Sequence, residues 1–492
     1  MAEQVQTSLR VAVIGGGIAG STTALHLAEQ RIDVTLIEQS DGLVNGPPIC
    51  HLHAGGNLYR EISQQQCTAL LKQSIETVRL FPYAVNARPT VIATPLTDSN
   101  EPDALLPRLS VIKQSYQSLV SQDPLNAVLG EPDQYYSQYS REQLEALRDH
   151  KQPNNPSSHD DWMIPFAQFV DLDKLKYPVV VVQEFGLSVF RLAASVTLTL
   201  EHHPHAHLKM GCRLEEARYE NNQWHLTYQP KQGEKQHIVV DYLVNATGYK
   251  TGTIDDLTKQ SQKRFVEFKS AFITHWESSG IHWPEVIFHG ERGTPQGMAQ
   301  LTPYSNGYFQ VHGMTESITL FDKGLVASEE PSSQPRLPSE LEAKITHGWP
   351  EMAIQQRTQN AIGHMSQHIP TFSKATVGGK PLFGAQQIPG EDPSLRVADV
   401  SFTQNNYARI ELVKASSAYQ AARKIKQQLQ DLSSAEQTLT APEMSSGITI
   451  EQAHPYLSAL SLEKIELRAK ALARDRGYPE ALAIQTGTAS DS

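Results

Sequence analysis

The sequence predicts an α/β protein in which a parallel-sheet unit is interleaved with a mixed-sheet domain and followed by a small C-terminal helical appendage. Two observations near the N-terminus predict the first part. Residues Val11 to Ile14 form an apolar run that breaks into Gly15-x-Gly17-x-x-Gly20, and a second apolar run, VTLIE, closes on Glu38. A third observation comes far along the chain, where DYLVNATG (Asp241 to Gly248) is again an apolar strand ending in small residues and glycine.

The first run reads as a buried parallel strand. Gly15 then makes the tight turn out of it, Gly17 lets a backbone approach a pyrophosphate, and Gly20 lets a helix from Ile18 to Gln30 pack on the sheet. Phosphates would sit on the amides and positive dipole end of that helix, which makes Gly15, Gly17, Ile18, Ala19 and Gly20 candidate contacts. Glu38 ends the second strand, where a carboxylate can accept hydrogen bonds from both hydroxyls of an adenosine ribose, with Gln39 beside it. Strand, glycines, helix, strand and acid in this order imply a dinucleotide, either FAD or NAD.

Further along, Gln64 to Leu80 has helical apolar spacing and Arg88 to Pro95 reads as a strand. Leu105 to Tyr139 alternates helical patterns with turns, and residues 149–161 are a polar, Pro- and Asn-rich exposed loop. PVVVV after Tyr177 predicts a strand, Leu187 to Glu201 an amphipathic helix, and HLKMGC, LEEARY and WHLTY short strands around an Asn221-Asn222 turn. Phe265 to Phe321 is a run of strands of the kind that covers a substrate, and Ser328 to Pro338 is a polar connection. PLFGAQQIPG, LRVADVSF and a helix from about Ile410 to Leu429 complete the core, and a helical appendage spans Ile450 to Leu482. Residues 1–85, 177–258 and 362–430 are thus expected in a discontinuous nucleotide domain, 86–176 and 259–361 in a substrate or cap domain, and 431–492 in the appendage and tail.

At 492 residues the chain has room for two or three domains. Hydrophobic residues are 39% and charged residues 19%, and mean hydropathy is -0.39, as in globular proteins. No stretch approaches the roughly 18 apolar residues that span a bilayer, so the cytoplasm is the default location, with peripheral membrane contact left open. Net charge is -11, without a basic block to follow a phosphate backbone, which argues against nucleic acid. Cys50, Cys67 and Cys212 form no CxxC pair and read as reduced thiols. His202, His203, His205 and His207 look metal-like by count, yet they follow a helix end and include Pro204, so a solvated turn is expected and no metal.

An NAD-dependent dehydrogenase would continue with further βαβ units. This chain instead leaves the nucleotide fold after about 80 residues and returns at NATG. The interleaving resembles the glutathione-reductase-type FAD-binding, Rossmann-like domain, in which both motifs touch one FAD; the resemblance implies contacts at Ala246, Thr247 and Gly248, and at Leu214. No second GxGxxG exists for a nicotinamide, so electrons should come from a small organic substrate and leave to oxygen, a quinone or a carrier protein.

HLHAGGNLY (His51 to Tyr59) narrows the family. It is similar to the His-Ala-Gly segment of the D-amino-acid-oxidase-like (DAO) superfamily, which includes L-2-hydroxyglutarate, malate:quinone-type and dimethylglycine or sarcosine dehydrogenases. EFGLSVFRLAASV, NATG, PLFG and QNNYARIELV extend the resemblance in order over about 430 residues. It implies further FAD contacts at His53, Ala54 and Gly55 and at Tyr407, Ala408 and Arg409. In the dimethylglycine branch the histidine matching His53 carries the flavin covalently, whereas other members use it for packing. The sequence departs from the family at Asn405 to Arg409, where a glycine-rich stretch is usual; similar ends occur in malate:quinone-type relatives.

The resemblance implies hydride transfer from a carboxylate-bearing 2-hydroxy acid or amine to flavin N5. A histidine suits the accompanying proton transfer, and an arginine can hold a carboxylate bidentately. His312 in GYFQVHGMT is the candidate base, with His51 as another substrate-facing histidine. Arg292 and Arg409 are the candidate clamps, and Tyr249 and Tyr304 candidate hydroxyl contacts. A helix starting near Ile410 could aim its amides at the flavin C2 carbonyl. The alternatives are a flavin monooxygenase or halogenase-like enzyme, although WxWxIP and a nicotinamide fold are absent, and an FAD-binding protein without turnover.

Overall fold

The computed structural model describes residues 9–46, 52, 62–277, 280–395, 398–432 and 442–486. β1 (Arg10–Ile14) lies inside a six-stranded sheet, and β2 (Asp33–Glu38) pairs parallel to it after the helix α1 (Ile18–Glu29). Period-two alternation explains why the whole strand is apolar. Val11 and Val13 enter a core with Ala24, Leu25 and Leu27 of α1. Ala12 and Ile14 face the other way, into a core shared with Trp224 and Leu226 of a three-stranded sheet built from residues 212–240.

On one side of this pair the sheet is extended by Ala206–Met210, which follows the helix α2 (Val189–His202). On the other it is extended by β3 (Tyr242–Asn245), then Tyr407–Ile410, then the antiparallel edge Val400–Thr403. The returning strand expected at NATG is therefore hydrogen-bonded directly to β1. The Asn221-Asn222 turn also forms, both residues adopting left-handed φ of 52° and 63°, as a two-residue hairpin turn requires.

A ten-stranded mixed sheet forms the second layer, organised around the long strand β4 (Arg264–His275). Glu285–Phe288, Ala299–Pro303 and Tyr308–Gly313 lie in it as expected, whereas Leu382–Pro389, expected in the nucleotide domain, also joins this sheet and pairs with β4. A second strand also differs from expectation: PVVVV belongs to Leu175–Val182, which pairs with Thr90–Pro95 and Tyr136–Tyr139 in this second sheet. Its Val179 and Val181 pack with Phe272 and Phe288, so a run of valines marked a doubly covered strand without revealing which sheet covered it.

The late helix also moves. Ile410 ends a strand, and α3 (Ala418–Leu432) starts eight residues later, after a 3-10 turn at Ala415–Ser417. Packing against α1 sets its start, because its apolar face needs Ala421, Ile425 and Leu429 in the α1 core. The C-terminal helices pack on the nucleotide half, with α4 (Leu462–Asp475) lying along α2. Among the described residues no helix is long and apolar enough to cross a membrane.

Candidate cofactor and active site

The C-terminal ends of β1, β2 and β3 open onto a cavity of about 1240 Å³ that extends to the second sheet. That exceeds the ~300–1,000 Å³ of most small-ligand pockets. Gly15, Gly17, Ile18 and Ala19 line its near end, together with Glu38 and Gln39. Gly15 has φ +100°, and a Cβ there would lie 2.6 Å from the Ala246 carbonyl oxygen. Gly17 is the N-cap of α1, offers no side-chain cap, and a Cβ on it would meet nothing within 4 Å. No acid stands in the first turn of α1, so an uncovered helix N-terminus faces the cavity. Gly20 does not line it; a Cβ at Gly20 would overlap the Gly15 carbonyl oxygen, so this glycine sets the packing of helix on turn.

Glu38 is nearly buried, and each of its oxygens already holds a backbone amide: Gly16 N at 2.5 Å and Ser40 N at 2.7 Å. A carboxylate has about four lone-pair sites, so Glu38 can shape the glycine turn and still accept from a ribose. Leu214, Ala246, Thr247 and Gly248 complete this end. Asn245 Oδ1 accepts from the Thr247 hydroxyl (2.7 Å) and from its amide (3.3 Å), which pins the turn after β3. Glycine turn, open helix end and carboxylate together fit a dinucleotide.

The far end is made of side chains from the second sheet. His312 lines it, buried, on Tyr308–Gly313, directly opposite Gln300 on the neighbouring strand. Gln300 donates to Glu285 Oε1 at 2.5 Å, and Glu285 Oε2 accepts from the buried Arg88 at 3.0 Å. Arg292 also lines the cavity and donates to Glu267, which Lys269 meets at 2.6 Å. Burial opposes ionisation of Glu267, but the charges of Lys269 and Arg292 outweigh it and hold its carboxyl below the usual range. Tyr249 lines the same space, its hydroxyl pushed up to about 12 by burial and by Glu342.

Three expected contacts fall elsewhere. Tyr407, Ala408 and Arg409 sit inside an interior strand, where alternate side chains are consumed by the two covered faces. Tyr407 donates to Asp255 at 2.6 Å, and the Arg409 guanidinium donates to Asp255 at 2.7 Å, to Gln260 O at 3.0 Å and to Gln262. With Arg264, also on Asp255 at 2.5 Å, they build a buried network behind β3 that reaches Asn245 through the Tyr407 hydroxyl. Arg409 is therefore no open clamp. The cavity is reached only past the strand end, at Ile410 and at Leu412 to Ala415, consistent with ligands binding beyond the carboxyl ends of strands. Tyr304 also lies off the cavity wall, its hydroxyl donating to Gln310 at 3.2 Å. His51, His53, Ala54 and Gly55 lie outside the described residues.

Of the histidine cluster, His202 and His207 are exposed as a solvated turn predicts, whereas His203 and His205 are packed. His203 is buried, with its ring 4.2 Å from that of Tyr456 and its Nε2 3.7 Å from Glu29; His205 pairs with Asp33 at 2.8 Å. Among the described residues no group of three or more His, Cys, Asp or Glu could hold a metal.

Sequence reasoning missed Gln300, Lys269, Lys380 and the C-terminal Arg476 and Tyr478, all of which line the cavity. One signal was available: FVEFKSAF places Glu267 and Lys269 at alternate positions of an otherwise apolar strand, where buried charges need a reason. Nothing comparable marked Arg476.

Residues 10–88 match the family model described as "DAO: FAD dependent oxidoreductase". No curated protein matches the whole sequence significantly. Among solved structures, the chain is similar to L-proline dehydrogenase from P. horikoshii, with 15% identity and a TM-score of 0.55 over 87% of this chain and 95% of that one. It is also similar to glycine oxidase from Geobacillus kaustophilus (12%, 0.55, 90% and 100%). A third is the dithionite-reduced L-alpha-glycerophosphate oxidase from Mycoplasma pneumoniae with FAD bound (13%, 0.54, 86% and 95%).

Proposed function

We propose that the chain is an FAD-dependent dehydrogenase or oxidase of the DAO superfamily, as the match over residues 10–88 supports, and that it oxidises a small carboxylate-bearing 2-hydroxy acid or amine. One observation carries this reading. A single cavity joins the glycine turn and Glu38 to His312, Arg292 and Gln300, so a dinucleotide bound at one end extends toward a cluster able to bind an anion and move a proton.

Gly15, Gly17, Ile18, Ala19 and Glu38 would hold the pyrophosphate and ribose of FAD, with Ala246 to Gly248 against them. Bound FAD supplies the hydride acceptor at flavin N5. Everything else falls to the chain. Arg292 and Lys269 face one carboxylate, Glu267, so the three side chains carry one excess positive charge at the wall, which favours an anionic substrate. His312 takes the proton from the substrate hydroxyl or amine, and Gln300, held by Glu285, orients the same group. Met298, Met314 and Ile287 line the wall beside them, an apolar lining that would limit water around the reacting atoms. Oxygen, a quinone or a carrier protein would then reoxidise the reduced flavin.

The test is anaerobic mixing of the FAD-loaded protein with a panel of 2-hydroxy and amino acids. Bleaching of the flavin band by members of that panel is expected, and acid precipitation reports whether the flavin is covalent. Reduction by NADPH alone would overturn the proposal.

A further inference from the structure

The C-terminal appendage does more than cover a surface. Its helix α4 seats Ile465, Ala469 and Ala473 against Phe190 and Ala194 of α2, then stops abruptly. Gly477 (φ 71°) donates to Arg474 O at 2.8 Å and Tyr478 N to Ala473 O at 2.8 Å, the paired bonds of a Schellman cap. That cap turns the chain within two residues and sends Arg476 and Tyr478 into the wall of the cofactor cavity.

Arg476 reaches the nucleotide half. Its guanidinium donates to Leu43 O at 2.7 Å and to Val44 O at 2.9 Å. Those two residues lie on the glycine-rich turn: Val44 N donates to Gly16 O at 2.7 Å, and a Cβ on Gly16 would strike Leu43 at 2.6 Å. Val44 adopts a left-handed φ of 54°, which costs a β-branched residue free energy and persists only where neighbours hold it. Tyr478 reaches the other half, donating to Pro381 O at 2.9 Å with the Lys380 ammonium 4.5 Å over its ring. Two side chains flanking Gly477 thus bridge both sides of the cavity. The same segment is tied to α1, the helix whose N-terminus faces the pyrophosphate position. His454 meets His26 at 3.2 Å, and Leu457 N donates to Glu29 at 3.0 Å.

We propose that residues 442–486 form part of the cofactor site, with Arg476 as the positioning residue that holds the 43–44 loop over the glycine turn and adds a positive charge beside a bound diphosphate. The inference rests on the reading of the cavity as an FAD site. It assigns the appendage a binding role: the dinucleotide is retained from three sides, α1 below, the 43–44 loop beside it and the C-terminal segment closing over both. Lysine at 476 would keep the charge but lose the fork that spans two carbonyls.

The full-length apoprotein, its variants and added FAD suffice for the test. FAD dissociation constants by fluorescence titration should rise about 10- to 100-fold for Arg476→Ala, the worth of charge-assisted hydrogen bonds, and by an intermediate factor for Arg476→Lys. Arg474→Ala, on the same helix but paired with Glu480 at the surface, should leave affinity unchanged. The melting temperature of apo Arg476→Ala should stay near that of the wild-type apoprotein, while the increment produced by FAD shrinks. Wild-type affinity in Arg476→Ala would overturn the inference. So would an apoprotein destabilised as much as the complex, because the role would then be structural. A wild-type chain that binds no FAD would remove the underlying reading instead.

Discussion

The two ends of the cavity are built on opposite principles. At the nucleotide end the contacts are mostly backbone, Glu38 and Arg476 apart, and Gly15, Gly17 and Gly20 keep that backbone bare. At the substrate end the backbone is ordinary sheet, and the contacts are His312, Gln300, Arg292 and Lys269, drawn from three strands and a loop. The difference teaches where tolerance lies. An end made of backbone fails when atoms are added, and an end made of side chains fails when they are removed.

The harshest way to test that contrast is Gly20→Val. Its side chain has no room against the Gly15 carbonyl, so a loss of about 4 kcal/mol or more is expected, in the range reserved for severe overpacking, with no flavin retained; a yellow, stable variant would break the comparison. His312→Ala comes next. It should slow flavin reduction by substrate about 10²- to 10⁴-fold while FAD affinity stays at the wild-type value, and equal losses in both would mean that the two ends are not separable. Arg292→Ala should act mainly on substrate, raising KM by about 10- to 100-fold as one charge-assisted contact is lost. Glu38→Gln should weaken FAD binding by a similar factor, since the Gly16 and Ser40 amides lose a charged acceptor, and leave the reduction rate of the FAD-loaded fraction intact.

The smallest effect is one of pH. His368 stacks on Phe288 of the second sheet, with ring centroids 4.2 Å apart, and burial, together with the nearby His364 and Lys174, brings its pKa down to about 4. The unfolded side chain titrates near 6.5, so on acidification the unfolded state takes up its proton first. Stability from this group is intact above about pH 6.5 and falls as pH drops toward 4. His368→Phe should flatten that part of the melting-temperature profile, and FAD affinity at pH 7.5 should not change.

How much could be read in advance follows the same division. β1, α1, β2 and the returning strand β3 were legible because glycine spacing, apolar runs and a terminal acid act within a few residues of one another. The Tyr407 to Arg409 contacts were misplaced because resemblance supplied a neighbourhood without saying which face each side chain took. Strand alternation and the buried Asp255 network consumed all three, and the cavity fell to the residues just beyond. The Val179 to Val182 strand went to the other sheet for a related reason, since an apolar run specifies burial without naming the partner.

The sequence by itself marked a dinucleotide end, because a turn with no room for a Cβ at Gly15 and Gly20 can be written only with glycine. It also pointed to His312 and Arg292, which line the cavity. Tertiary structure alone decided that Gln300 stands opposite His312, that Lys269 and Arg292 share Glu267, that Arg409 is occupied, and that Arg476 returns from the end of the chain to rest on Leu43 and Val44. Apart from Glu267 and Lys269, which alternate on one strand, those contacts join residues from 12 to more than 400 positions apart, and their partners are chosen by how the two sheets and the C-terminal helix pack, which no local pattern encodes.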